Sequence, residues 1–234
     1  MRCSHGFLFV AVAFLTSCSS SEVKLSSAIQ SSLKGEQQIL AVHYYPQVFS
    51  AQTPEVRNEG SAGMMFGAVG GAIAGALQAN KAEKAGGQLV REYHLEDPMP
   101  RVKQAFIGNL VHEHSFQNIR SLDDVLANDN LDALKKKFEK GLLFDFKTIS
   151  WSLNLAGPLS RDTYRVNYVG RVRLLRFPEG TIAWQSVCET DGKIEGAAPT
   201  LLEVVANSGE FLKSQLNNAV DVCLAQFERQ FKNE

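Results

Sequence analysis

The residues with the most chemical capacity are few and scattered. Histidine and acid stand together at His112-Glu113-His114, and aspartates gather at Asp123-Asp124 and Asp129 in the stretch SLDDVLANDN. Two histidines two positions apart on a helix point away from each other, and no H-E-x-x-H spacing accompanies them, so no zinc site is expected. The trio falls where a helix should end, where imidazolium would face the negative end of the helix dipole. The aspartates lack the spacing and the glycine of an EF-hand loop, and read as a polar loop with helix caps. His43 in AVHYYP and His94 in REYHLED have no partner in sequence. Neither a G-x-S-x-G elbow nor a Rossmann fingerprint occurs, and GAVGGAIAG lacks the lysine of a phosphate loop. No catalytic residue, metal ligand or cofactor is assigned, and no enzyme is expected.

The amino end carries a clearer pattern. Arg2 precedes an apolar run from Gly6 to Leu15, the length of an export leader and too short to span a bilayer. The run ends in Leu15-Thr16-Ser17-Cys18, which resembles the lipobox of bacterial lipoproteins. That resemblance implies a diacylglycerol on Cys18, removal of residues 1–17 as a signal peptide, and acylation of the new amino group. Such an anchor exceeds the two signals that stable attachment requires. Ser19 in place of Asp implies the periplasmic face of the outer membrane. The alternative is an ordinary secretory leader with a chance cysteine. Residues 18–37 hold seven serines from Ser19 to Ser32 and read as a lipidated, flexible tether. A periplasmic domain over 38–234 follows, with a glycine-rich insert at 58–82.

Of four cysteines, Cys3 leaves with the leader and Cys18 goes to lipid. Cys188 and Cys223 remain, and in an oxidising compartment two thiols suggest a disulfide. In the strand-like TIAWQSVCE, Cys188 shares a face with Ile182 and Trp184. In the last helix Cys223 lines up with Leu212, Leu216, Ala219, Val220 and Phe227. Both sulfurs therefore face one core. Two separate buried thiols are the alternative. The formal net charge of −1 gives no reason to expect nucleic acid or an anionic membrane surface as partner.

Positioning these residues requires a domain, and 44% hydrophobic content is enough for one good core. ILAVHYYP at 39–46 reads as a strand ended by proline. Asp97-Pro98 opens a helix with Val102, Phe106 and Leu110 on one face. FQNIRSL at 116–122 is a weak strand, and Asn130 caps a second helix that Gly141 should end. Three long β segments follow. In LLFDFKTISWSLNLA the alternation shifts between Phe146 and Ile149, suggesting a bulge or a strand buried on both faces. DTYRVNYVGRVRLLRF alternates cleanly, and FPEGT turns it into a strand around Trp184. Thr200 and Glu203 form a capping box on a last helix that Asn207-Ser208-Gly209 interrupts. The expected class is α/β (α+β): a mixed sheet with a long antiparallel meander and helices on one face.

The meander motif RVRLLRFPEGTIAWQ resembles the strand, turn and Trp-bearing strand of periplasmic lipoprotein domains. These are related to the N-terminal domain of the Tol–Pal translocation protein, the curli-secretion lipoproteins and the lipoprotein activators of penicillin-binding proteins. The resemblance covers about 38–234 without the insert and implies a docking and assembly domain without catalysis. No membrane-spanning β-hairpin of the curli-channel kind is readable here.

The insert itself, EGSAGMMFGAVGGAIAGALQANK, places Gly63, Gly67, Gly71 and Gly75 four apart in an uncharged run. On a helix these four form one stripe where another backbone can approach, as in small-x-x-x-small association. Each glycine costs about 1 kcal/mol against alanine in a helix, so contact must compensate. The segment resembles the glycine-zipper segments of outer-membrane lipoproteins. Three readings stay open: a self-associating helix or hairpin in or on the membrane, an element packed on its own domain or in a protein interface, and a loop without function. The expectation is a lipid-anchored module that self-associates or joins an envelope complex. The alternatives are an accessory hydrolase of cell wall or lipid and a purely structural lipoprotein.

Overall fold

A computed structural model of the chain describes residues 22–33, 35, 38–60, 67–114, 116, 118–192 and 196–232. Its elements are α1 (Ser27–Leu33), β1 (Ile39–Tyr44), β2 (Ser50–Ala51), α2 (Pro54–Gly60), α3 (Gly67–Tyr93) and α4 (Met99–His114). They continue with β3 (Ile119–Leu126), α5 (Leu131–Lys137), β4 (Gly141–Leu155), β5 (Tyr164–Phe177), β6 (Thr181–Thr190) and α6 (Leu201–Lys232). The fold is a mixed α/β sheet in the order β3-β1-β4-β5-β6, with β2 paired to β4. β1 runs parallel to both β3 and β4, while β4, β5 and β6 form the antiparallel meander.

Local signals act where the sequence places them. Asn130 Oδ1 accepts from the amides of Asp132 (2.9 Å) and Ala133 (3.2 Å), capping α5. Glu203 accepts from the Thr200 amide at 2.7 Å while its own amide donates back to Thr200 Oγ1 at 3.4 Å. α5 stops at Phe138, so Gly141 does not end it; with φ of +92° it opens β4 instead. Asn207, Ser208 and Gly209 all take positive φ and break α6, because the chain must turn there without losing its long second half. β4 bulges at Ile149, between the pairs Thr148↔Gly170 and Ser150↔Val169. The bulge keeps Phe144, Phe146, Trp151 and Leu153 in one core although their spacing changes parity.

That core lies between the sheet and α4 and α6. Phe106 of α4 stacks on Trp184 at 6.1 Å and meets Phe144, Phe146 and Phe231 edge to face at 5.7–5.8 Å. A smaller core occupies the other face, where Leu134 and Phe138 at α5 cover Val42, Tyr44, Leu143, Leu175 and Phe177. Helices therefore sit on both faces of the sheet. Ile182 belongs to this second core and not with Trp184, because the pairing slips between Leu174↔Trp184 and Leu175↔Ile182. A bulge at Ala183 switches the face that simple alternation would give.

Two boundaries read from the sequence shift. Within the tether expected over 18–37, the described residues from Glu22 to Leu33 pack on the domain: Val23 pairs with Gln185, Leu25 is buried, and α1 ends in the buried Leu33. Serine richness concealed the two leucines. The glycine-rich insert is likewise no separate unit, since α3 carries its helix on to Tyr93, well inside the domain.

Cys188 and Cys223, both fully buried, are joined with S–S 2.00 Å and Cα–Cα 5.3 Å, stapling β6 to α6. The closed loop predicts a loss of about 3–4 kcal/mol for Cys223→Ala by chain entropy. A lowered denaturant midpoint, matched by wild type under reductant, is the expected result. Non-reducing peptide mass spectrometry of exported protein should find the two linked; free thiols alkylated without denaturation would contradict the bridge.

Candidate functional site

α3 is a helix with two halves. In its second half Ala82 and Gly86 are buried, and Ala85, Leu89, Val90 and Tyr93 pack half-buried against the main core. Gly86 lies directly on β2: a Cβ there would stand 1.9 Å from the Phe49 carbonyl oxygen and 2.8 Å from Ser50 Cα. No side chain fits between these backbones. Tyr93 is received at the other end by Gly209, where a Cβ would come within 2.7 Å of the ring. Gly86 does not stand out in the sequence and Gly209 reads there only as part of a helix break, because the contact each makes depends on the facing element.

The first half carries the zipper glycines. Gly63, like Cys18, lies outside the described residues; Gly67 and Gly71 belong to α3. At 3.6 residues per turn, Gly67, Gly71 and Gly75 fall in the same arc of about 100° as Ala82, Gly86, Leu89 and Tyr93. The glycine stripe therefore extends the face by which α3 packs on the domain. At Gly75 that face has run past its support, for a Cβ there meets nothing within 4 Å. No described helix is long and apolar enough to cross a membrane.

The polar residues form structural clusters. Asp145 is fully buried on the second face of the sheet, where it accepts from Arg173 Nε at 3.0 and 3.1 Å and from Tyr44 Oη at 2.7 Å. Burial and the neighbouring Asp145 carboxylate push the Tyr44 phenol far up. Asp129 straps the same face through Arg171 (2.6 Å) and Lys147 (2.9 Å). Burial alone would raise the Asp129 carboxyl, but hydrogen bonds from Lys147 and Arg171 overcome it and hold the group well below its usual range. The acidic stretch around Asp123 thus supplies an ion-pair partner to the sheet, and Asp124 pairs with Lys137 at 3.2 Å.

On the first face, Lys103 is buried and donates to the Leu122 carbonyl at 2.8 Å, where β3 slips its register against β1. Its ammonium lies 3.3 Å from His43 Nδ1, and burial lowers both groups. Asp97 caps α4 by accepting from the Met99 amide (3.1 Å) and also accepts from Thr148 Oγ1 (2.6 Å); burial raises its carboxyl. His112 is exposed at the end of α4, and the side chains of Glu113 and His114 lie outside the described residues. Among the described residues no group of three or more His, Cys, Asp or Glu could hold a metal. Among the described residues, one open cleft of about 320 Å³ lies beside Val23, Leu25, Trp184 and Gln230, and another of about 250 Å³ between His94, Glu96, Arg101 and Lys213.

No protein-family model matches the chain, and no curated protein matches it in sequence. Among solved structures, the hypothetical protein CT253 from Chlamydia trachomatis is similar over 59% of this chain and 84% of its own, at 9% identity. Its TM-score of 0.26 is too low for that similarity to carry an inference about this chain.

Proposed function

We propose that the chain is a lipid-anchored envelope protein of the periplasmic face of the outer membrane, acting as a non-catalytic assembly module. The observation that carries this reading is the continuous face of α3, seated on the domain at Gly86 and open at Gly75. A packing face that continues beyond its own domain with glycine at helical spacing is suited to a second backbone. Self-association, or docking on another envelope protein, fills that face. Cys18 supplies the anchor, and the mixed sheet supplies a rigid seat for the helix.

Gly75→Leu tests the assembly, since open space at this position leaves the chain's own packing unaffected. Leucine also raises helix propensity and keeps the segment apolar, so neither property forecasts a loss. In native membranes the variant is expected to lose crosslinked oligomers or partner adducts several-fold at equal abundance, with the folded domain still protease-resistant. Gly67→Leu/Gly71→Leu should do the same. Unchanged adducts would remove the interface. Cys18→Ala should release the protein from membranes; retention after a high-salt wash would remove the lipid anchor.

A further inference from the structure

We propose, resting on the lipid-anchor reading, that the domain is held against the bilayer surface by one fixed edge, formed by β6 and the last turn of α6. The folded amino-terminal strap dictates this. Val23 exchanges two backbone hydrogen bonds with Gln185 of β6, at 3.0 and 2.9 Å. Glu22 accepts from Gln230 of α6 at 2.7 Å, and Leu25 is buried just beyond. The chain is therefore fastened to the domain from Glu22 on, four residues after Cys18. At no more than 3.6 Å per residue, the lipidated cysteine lies within about 14 Å of the Glu22 backbone. A tether of 20 flexible residues would instead average about 25 Å and extend much farther.

The surface near this exit suits a headgroup layer. Lys24 is exposed beside Val23, and Arg229 is exposed next to the Gln230 that holds Glu22. Glu22 accepts from Gln230, and Glu228 from Asn109 at 2.5 Å, bonds from neutral amides that hold these carboxylates in place without cancelling their charge. Two basic side chains at the point where the lipid leaves can meet phospholipid phosphates although the chain as a whole is slightly acidic. The far end of the meander lies well away from this exit. Leu159, 94% exposed, precedes Tyr164, where β5 starts, and Tyr164 is itself nine residues from Arg173, which pairs with Gln185. That separation is about 30 Å along a strand.

The experiment uses the full-length lipidated protein in native membranes, with a photoreactive benzoylphenylalanine at Lys24, Arg229 or Leu159. Phospholipid adducts are expected at Lys24 and Arg229, at least fivefold above those at Leu159. Inserting 12 Gly/Ser residues between Ser21 and Glu22 should cut the first two several-fold while the protein still sediments with membranes. Equal labelling at all three positions, or no change on insertion, overturns the fixed edge while the anchor stands. Continued membrane binding by Cys18→Ala after a salt wash overturns the anchor, and the inference falls with it. An intact Cys188–Cys223 bridge and unchanged protease resistance confirm that each variant is folded.

Discussion

Gly86→Ala is expected to destabilise the domain while Gly87→Ala, one residue on, stabilises it. Both replace glycine by alanine inside α3, and helix propensity alone predicts a gain of up to about 1 kcal/mol for each. The surroundings decide the sign. At Gly87 a new Cβ meets the mobile tip of Arg91 at 3.5 Å, an ordinary contact. At Gly86 it meets the Phe49 carbonyl oxygen at 1.9 Å and its carbon at 2.5 Å, and backbone cannot swing aside. Phe49 is itself buried and packs edge to face on Trp151 at 5.0 Å, so retreat of β2 would disturb the main core. Overpacking of this kind costs about 1–3 kcal/mol or more. For a chain of this size 1–3 kcal/mol corresponds to a fall in Tm of roughly 2–12 °C. Calorimetry of the two variants checks the opposite signs. Limited proteolysis should cut Gly86→Ala within α3 first, because a helix lifted from β2 loses the seat that holds its glycine half. A Gly86→Ala protein as stable as wild type would mean that α3 does not rest on β2 at this distance.

The contrast between these two glycines shows which parts of the fold the sequence could express. Features set by a few neighbouring residues are readable: the Asn130 cap, the Thr200–Glu203 box, the break at Asn207-Ser208-Gly209, and the meander with its bulge near Ile149. The tail-side cysteine pair is readable too, because strand and helix periodicity both turn the sulfurs inward. Features set by what lies opposite are not. A one-residue slip at Ala183 sends Ile182 to the second core, though its own strand alternates as if it faced Trp184. Leu25 and Leu33 sit among serines, and only the neighbouring β6 and sheet make them core. KAEKAGGQLVREY has the charge of a wet segment, so the seating of α3 through Gly86 and Tyr93 stayed hidden. The zipper glycines were visible by spacing, but their alignment with the seated face requires knowing that one helix runs from Gly67 to Tyr93.

Arg173→Met is expected to be among the most damaging single changes in the chain, and a triple change containing it nearly harmless. Alternation along β5 puts Arg173 opposite the apolar side, where a wet face is the natural reading; the strap from Asp129 and the helix α5 bury it instead. Arg173 is 5% exposed and Asp145 not at all. The Asp145 carboxylate takes three hydrogen bonds from the guanidinium and one from Tyr44. Arg173 also reaches the Asp129 carbonyl at 3.3 Å, tying the strap to the pair. Deleting the arginine leaves a buried carboxylate with a single neutral donor. Breaking a buried pair from one side costs about 3–5 kcal/mol. Removing all of the polar groups together carries no such penalty, because the desolvation cost of the ions disappears with them. Tyr44→Phe/Asp145→Leu/Arg173→Met should therefore lie near wild type or up to about 1–4 kcal/mol above it. Denaturant midpoints of the single and triple variants make the comparison, and the second core supplies the apolar surroundings the new side chains need. If the triple variant were as unstable as Arg173→Met, the strand's polar row would be holding the Asp129 strap, and through it α5, by contacts that methionine and leucine cannot replace. A folded triple variant that keeps its membrane adducts would instead separate the two faces of the sheet by task. The second face would need only to be filled, while assembly would depend on the first, where α3 is seated.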